Sequence, residues 1–192
     1  MSKALVILSE LNHRDIDWMI NNSVQEKIER GTILIHEGKP INALYIVLEG
    51  SLSVSVASVG DREISRIGQG EVLGEMSFID GRLPSATVKA LDTSVVLSIP
   101  KQKLSEKLEQ DVLFALRFYR AVTKFLSSRL RNTVNRFSDR PQSSRLPPAV
   151  LNPEEIDHFQ DGLSKFNWIL KRLKSKSTCN CHVEKISFYS AE

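Results

Sequence analysis

Cysteine is almost missing from the sequence. Cys179 and Cys181 are the two present, spaced C-x-C. That spacing is too close for an ordinary disulfide and lacks the second pair a zinc site needs, so both read as free thiols in a reducing compartment. Histidine is also scarce: of His13, His36, His158 and His182, only His36 falls among the β-type runs. A barrel metalloenzyme needs several inward-facing His and carboxylate ligands, and no nucleophile–base constellation stands in for them. No catalytic residue and no metal ligand is therefore expected. No apolar run approaches a membrane span, and Ala4 to Leu8 is too short for the apolar region of a signal peptide. The expected location is cytoplasmic. Finally, no acidic residue occurs between Asp111 and Asp139, within a chain of net charge +3. Residues 1–100 carry 9 basic and 13 acidic side chains, and residues 101–192 carry 17 and 10. The basic second half permits contact with an acidic partner or nucleic acid, although a solvated basic helix face is the commoner cause.

What is present is a change of period along the chain. Residues 1–23 read as a helical segment, with Asn12 or Asp15 as the cap and an apolar side made by Ile16, Trp18 or Met19, and Ile20. From 24 to 100 the pattern becomes short β-type runs at 24–28, 32–35, 44–48, 52–56, 63–67, 86–91 and 95–99, separated by Gly, Pro and Asp turn signals. Runs at this spacing predict a sandwich or small barrel. Leu52-Ser53-Val54-Ser55-Val56 alternates strictly, as a strand with one wet face does, whereas Leu44-Tyr45-Ile46-Val47-Leu48 is apolar on both faces and calls for a covering helix. The predicted fold is mainly β with helices: a jelly-roll-like β-barrel followed by a long α-helix and a C-terminal helix.

Residues 101–137 supply a hinge and that long helix. Its apolar positions recur at three- and four-residue steps through Phe118, Val122, Phe125, Leu126, Leu130 and Phe137, a stripe longer than one small barrel covers. Those six residues are the expected contact of a homodimer. Arg117, Arg120, Lys124 and Arg131 lie opposite. Residues 138–151 read as a linker rich in Pro, Ser and Arg, and 152–176 as an amphipathic helix opened by Asn152-Pro153-Glu154-Glu155. The apolar positions of that helix are Ile156, Phe159, Leu163, Phe166, Leu170 and Leu173. It is a docking helix, for its own barrel, its dimer mate or another protein partner. Residues 177–192 form a tail without a clear pattern.

The stretch Gly68 to Ala90 stands apart, with four glycines, the pair Gly74-Glu75 and a turn at Asp80-Gly81. Glycine accepts the φ > 0 and close-approach geometries that bring backbone N–H groups to a ligand surface, and converging amides suit an anion.

Four motifs in order resemble the cyclic-nucleotide-binding domain of catabolite-activator-type regulators and cyclic-nucleotide-dependent kinases. They are Gly31 to Gly38, Leu44 to Gly50, Gly70 to Met76 and Ser85 to Val88, and the resemblance covers about residues 11–137. It implies a ribose and phosphate cassette of Gly74, Glu75, Met76, Ser85, Ala86 and Thr87, with Glu75 accepting from a ribose hydroxyl and the Ser85 and Ala86 amides facing a cyclic phosphate. It also implies an arginine immediately before Ser85, where this chain has Pro84. Proline brings neither charge nor an N–H. Arg82 and Arg129 are the candidate substitute cations, against the plainer readings of a turn arginine paired with Asp80 and a snorkelled interface residue. Ser127 and Ser128 are the candidate base contacts. Glu75 has a plainer role too, as a carboxylate capping backbone N–H groups.

The expected function is a non-catalytic regulatory or sensor module, dimeric, with weak, altered or lost cyclic nucleotide binding and no other cofactor. The alternatives are a protein–protein adaptor with a relic pocket, or a regulator of the same type without its DNA-binding module. Residues 138–192 offer one helix and a strap rather than the two closely joined helices of a helix-turn-helix, so specific DNA binding is not expected.

Overall fold

The computed structural model describes residues 5–60, 62–137 and 153–183. The linker 138–151 and the last part of the tail, 184–192, lie outside the described residues. Two short helices open the chain, α1 at Leu5–Glu10 and α2 at His13–Asn21. Asn12 caps α2 in a reciprocal box: its side chain accepts from the Asp15 N–H at 2.9 Å, and the Asp15 carboxylate accepts from the Asn12 N–H at 2.9 Å.

Eight strands follow: β1 Val24–Ile28, β2 Ile33–Ile35, β3 Ala43–Glu49, β4 Ser51–Val56, β5 Arg62–Gly68, β6 Val72–Leu73, β7 Thr87–Ala90 and β8 Ser94–Pro100. They form two four-stranded sheets, ordered β1-β8-β3-β6 and β2-β7-β4-β5, with every pair antiparallel. A six-residue helix, α3 at Glu75–Asp80, interrupts the strands between β6 and β7. The sequence pattern had placed a loop there. After β8 come α4 at Lys101–Gln110, α5 at Val112–Phe137 and α6 at Pro153–Val183. The last of these runs seven residues past the end read from the sequence and takes in Cys179 and Cys181, whose side chains lie outside the described residues.

The apolar residues divide into two clusters, and β3 and β8 contribute to both. Val47 and Val96 pack between the sheets with Leu52, Val54, Ile67 and Val88. Leu44, Ile46, Leu48, Leu97 and Ile99 face the other way, against helices. A strand buried on both faces must be apolar on both, which is why β3 reads as an unbroken run while β4 alternates with serines.

The helical layer is built from α5 outward. Phe114, Phe118, Ala121, Val122 and Phe125 are buried against the sheet and the N-terminal helices, and Leu126 is half-buried against the same cluster. This corrects the dimer stripe expected from periodicity. Phe118, Val122 and Phe125 are used up inside one chain; of the six residues expected at a dimer contact, Leu130 is exposed, and the Phe137 side chain lies outside the described residues. The exposed apolar residues of α5 are instead Val112, Leu113, Leu116, Tyr119, Leu130 and Val134.

Helix α1 lies between α5 and α6, and α6 also meets α2. The C-terminal helix thus docks on its own chain. Among the described residues, Phe166 and Ile169 are its buried apolar side chains, while Leu163, expected in the docking stripe, is 42% exposed. The side chains of Ile156 and Phe159 lie outside the described residues. Beside Phe166, the buried Lys165 ammonium donates to the Ser9 carbonyl at 3.1 Å and pairs with Asp161. A cation there complements the carbonyl-rich end of α1, which has no basic residue of its own in its last turn.

The basic face of α5 is exposed at Arg120, Lys124 and Arg131, but three of its four cations have partners within the chain. Arg117 grips Asp15 with two bonds, Nε to Oδ2 at 2.6 Å and Nη2 to Oδ1 at 2.8 Å. Arg120 pairs with Glu10 at 3.0 Å, and Lys124 pairs with the same carboxylate. The acidic first half and the basic second half meet here, inside one molecule. Arg131 stays exposed.

Candidate functional site

The pocket begins with Gly74. Its φ of +83° and its surroundings require glycine: a Cβ there would come within 2.7 Å of Ile41 Cδ1 and 3.0 Å of the Ala43 carbonyl oxygen. That turn sends the chain into α3 with Glu75 as its first residue, aimed inward and 2% exposed. Two contacts fix α3 beneath the pocket. Lys101 Nζ donates to the Ser77 carbonyl at 3.1 Å, and the Phe78 ring meets Phe118 of α5 edge-on at 5.7 Å. At its far end Asp80 accepts from the Arg82 N–H at 3.0 Å, closing the turn at Gly81.

Gly74, Glu75, Met76 and Ser77 form one side of the pocket, and Pro84, Ser85 and Ala86 another. Ile35, Val54, Ile67, Leu73 and Val88 make an apolar wall, and Arg129 of α5 closes the site. The guanidinium of Arg129 lies 5.3 Å from the Phe125 ring centre and bonds to the Glu75 carboxylate. The pair is lopsided in exposure, with the Arg129 side chain 28% exposed and that of Glu75 2%.

The sequence-derived candidates are therefore sorted by position. Gly74, Glu75, Met76, Ser85, Ala86 and Arg129 come together at the pocket. Thr87 is not among the lining residues; its hydroxyl accepts from the Glu37 N–H at 3.2 Å, and the Glu37 carboxylate in turn accepts from the Ala57 N–H at 2.8 Å. Ser127 is exposed and Ser128 half-buried, and neither lines the pocket. Arg82 is exposed and also stands outside it. Pro84 is at the wall, its carbonyl accepting from the Gly38 N–H at 2.9 Å. The sequence reading missed the five-residue apolar wall. Strand alternation carried the signal, since each of those residues occupies an inward position of its strand.

Burial raises the Glu75 carboxyl pKa above its usual range; Arg129 and the Glu75 backbone N–H oppose the shift, and the nearby Glu71 charge adds to it. Among the described residues no group of three or more His, Cys, Asp and Glu side chains is placed to hold a metal ion.

The family model described as "Cyclic nucleotide-binding domain" matches residues 25–111. Residues 25–111 belong to the cyclic nucleotide-binding domain family. The chain is 27% identical over 160 residues to the cAMP-activated global transcriptional regulator CRP of Pasteurella multocida, covering 77% of this chain and 73% of that protein. Among solved structures it is similar to the N-terminal domain of a transcriptional regulator from Streptomyces coelicolor, with 28% identity, TM-score 0.56, and 73% and 99% of the two chains covered. A cyclic nucleotide-binding domain from Methylobacillus flagellatus shares the fold at TM-score 0.64 and 20% identity, over 77% of this chain and 85% of that one. The pocket described above lies inside the matched domain, except for Arg129, which α5 brings in from beyond residue 111.

The raised pKa gives a test. The folded chain holds the Glu75 proton more tightly than the unfolded chain does. The associated stability is present below the unfolded-state pKa and is lost as the pH rises through the folded-state value. Glu75→Gln removes that dependence. The melting temperature of the variant relative to wild type is expected to move in the variant's favour as pH is raised from about 4 to about 7; a difference constant over that range contradicts the assignment.

Proposed function

We propose that the chain is a non-catalytic regulatory module in which the pocket at Glu75 is the sensing end and α5 is the output. The Glu75–Arg129 pair carries this reading, because it ties the pocket to the long helix by one bond. A ligand hydroxyl that engages Glu75, or an anion that engages Arg129, competes with the pair and changes how α5 is held. An element biased from a pocket in this way is what ligand sensing requires. The name of the P. multocida relative, a cAMP-activated transcriptional regulator, supports the regulatory part.

The affinity for cyclic nucleotides is low on this reading. The residues suit a hydroxyl at Glu75 better than a phosphate, since Pro84 supplies neither charge nor N–H at the wall. Forgoing a charge-assisted pair to a phosphate costs about 3 kcal/mol, or roughly two decades of affinity. Thermal melts with cyclic AMP test this. The midpoint of Pro84→Arg is expected to rise with ligand concentration, because a ligand of the folded state stabilises it, while the wild-type midpoint moves far less at the same concentrations. If Pro84→Arg gains nothing and the wild type binds no ligand either, the pocket is a relic and the chain is an adaptor; if wild type responds already at micromolar cyclic AMP, the low-affinity reading fails.

The module also acts as a homodimer on this reading, through a face of α5 that its own chain leaves uncovered, with Leu116 65%, Tyr119 48% and Leu130 65% exposed. Arg117, Arg120 and Lys124 are occupied by Asp15 and Glu10, so α5 is not read as a specific DNA contact. Sedimentation of the wild-type chain is expected to give a dimer that Leu116→Glu converts to a monomer. A wild-type monomer at micromolar concentration contradicts this.

A further inference from the structure

The charge balance of the pocket points to the kind of ligand it takes, and this inference rests on the sensing role proposed above. Among the described residues, the side chains lining the pocket include two ionisable groups, Glu75 and Arg129, of opposite sign and bonded to each other. With Glu75 ionised, their charges cancel. No further cation among the described residues lines the pocket: Glu71 acts on Glu75 as a further negative charge, Lys101 is bonded to the Ser77 carbonyl against the Phe78 ring, and the exposed Arg82 is not among the lining residues.

An anionic ligand meets a fixed difficulty here. If Arg129 stays on Glu75, the ligand's charge enters an apolar pocket without a cation. If Arg129 turns to the ligand, the Glu75 carboxylate, 2% exposed, is left without its cation. Either way one negative charge is left without a cation beside an apolar wall, which is the costly case. A neutral ligand avoids both outcomes. A carboxylate has about four lone-pair sites, so a hydroxyl can donate to Glu75 while the bond to Arg129 stays in place. Ile35, Val54, Ile67, Leu73 and Val88 then offer an apolar surface to the rest of the molecule.

We propose that this pocket selects an uncharged, hydroxyl-bearing molecule with an apolar or aromatic body, a nucleoside rather than a nucleotide being the chemical type. The hydroxyl is read by Glu75, the body by the strand wall, and the absence of a phosphate is enforced by the neutral Glu75–Arg129 pair.

Calorimetric titration of the full chain with adenosine, 2′,3′-dideoxyadenosine and cyclic AMP tests the proposal. Adenosine is expected to bind at least about tenfold more tightly than cyclic AMP, and dideoxyadenosine, which lacks the two ring hydroxyls, at least about tenfold more weakly than adenosine. In Pro84→Arg the ratio of cyclic AMP affinity to adenosine affinity is expected to rise at least about tenfold, because only the cyclic AMP phosphate gains a charge-assisted partner. Cyclic AMP binding wild type as tightly as adenosine overturns the proposal, and so does dideoxyadenosine matching adenosine. Failure of all three compounds to bind wild type also overturns it. In that last case, cyclic AMP binding by Pro84→Arg leaves the sensing role standing, and no binding by either protein removes both.

Discussion

A carboxylate enclosed by protein has to keep either a cation or a proton, and Glu75 keeps Arg129. That requirement organises the site. The left-handed turn at Gly74 starts α3 where Glu75 points inward, and its φ of +83° together with the close approach of Ile41 and the Ala43 carbonyl favours glycine there. The cation comes from α5, 54 residues further along the chain, so the long helix has to cross the pocket at the level of residue 129. Phe118 against Phe78 holds the same two helices together one contact away. The polar pair and the aromatic contact thus set one crossing between them, the first at the pocket and the second in the core.

The same economy governs the surface charges. Glu10 and Asp15, in the acidic half, are nearly enclosed and take up Arg120, Lys124 and Arg117 from the basic half. Those ion pairs seat α1 and α2 on α5, and α1 in turn seats α6 through Phe166, Ile169 and the Lys165 ammonium. Part of the charge asymmetry seen in the sequence is thus a clasp between the two N-terminal helices and α5.

Much of the architecture was legible from residue patterns, because the strands obey simple rules. The serine alternation in β4 gave its wet and dry faces, and the double apolar face of β3 foretold the helical cover. Short elements were harder. With two residues in β6 and six in α3, neither spans enough of a period to stand out, and the glycines flanking α3 disguise it further. The face of α5 was misjudged for a physical reason: its apolar positions cover more than half the circumference, and periodicity cannot say which of two neighbouring stripes meets the chain's own core. Leu163 and Ile169 on α6 exchanged places for the same cause. At the site, Glu75, Ser85 and Ala86 were legible from the glycine spacing and the family resemblance, and the matched domain bears out that resemblance. The bond from Arg129 to Glu75 was not, since nothing local in sequence joins residues so far apart.

These observations reduce to one claim, that a buried pair couples the pocket to the long helix. A double-mutant cycle measures it directly, with Glu75→Gln, Arg129→Gln and the combined variant compared with wild type by chemical denaturation. A true buried coupling gives an interaction energy of about 1–3 kcal/mol. A value near zero, in the range of an exposed ion pair at about 0–1 kcal/mol, contradicts the account.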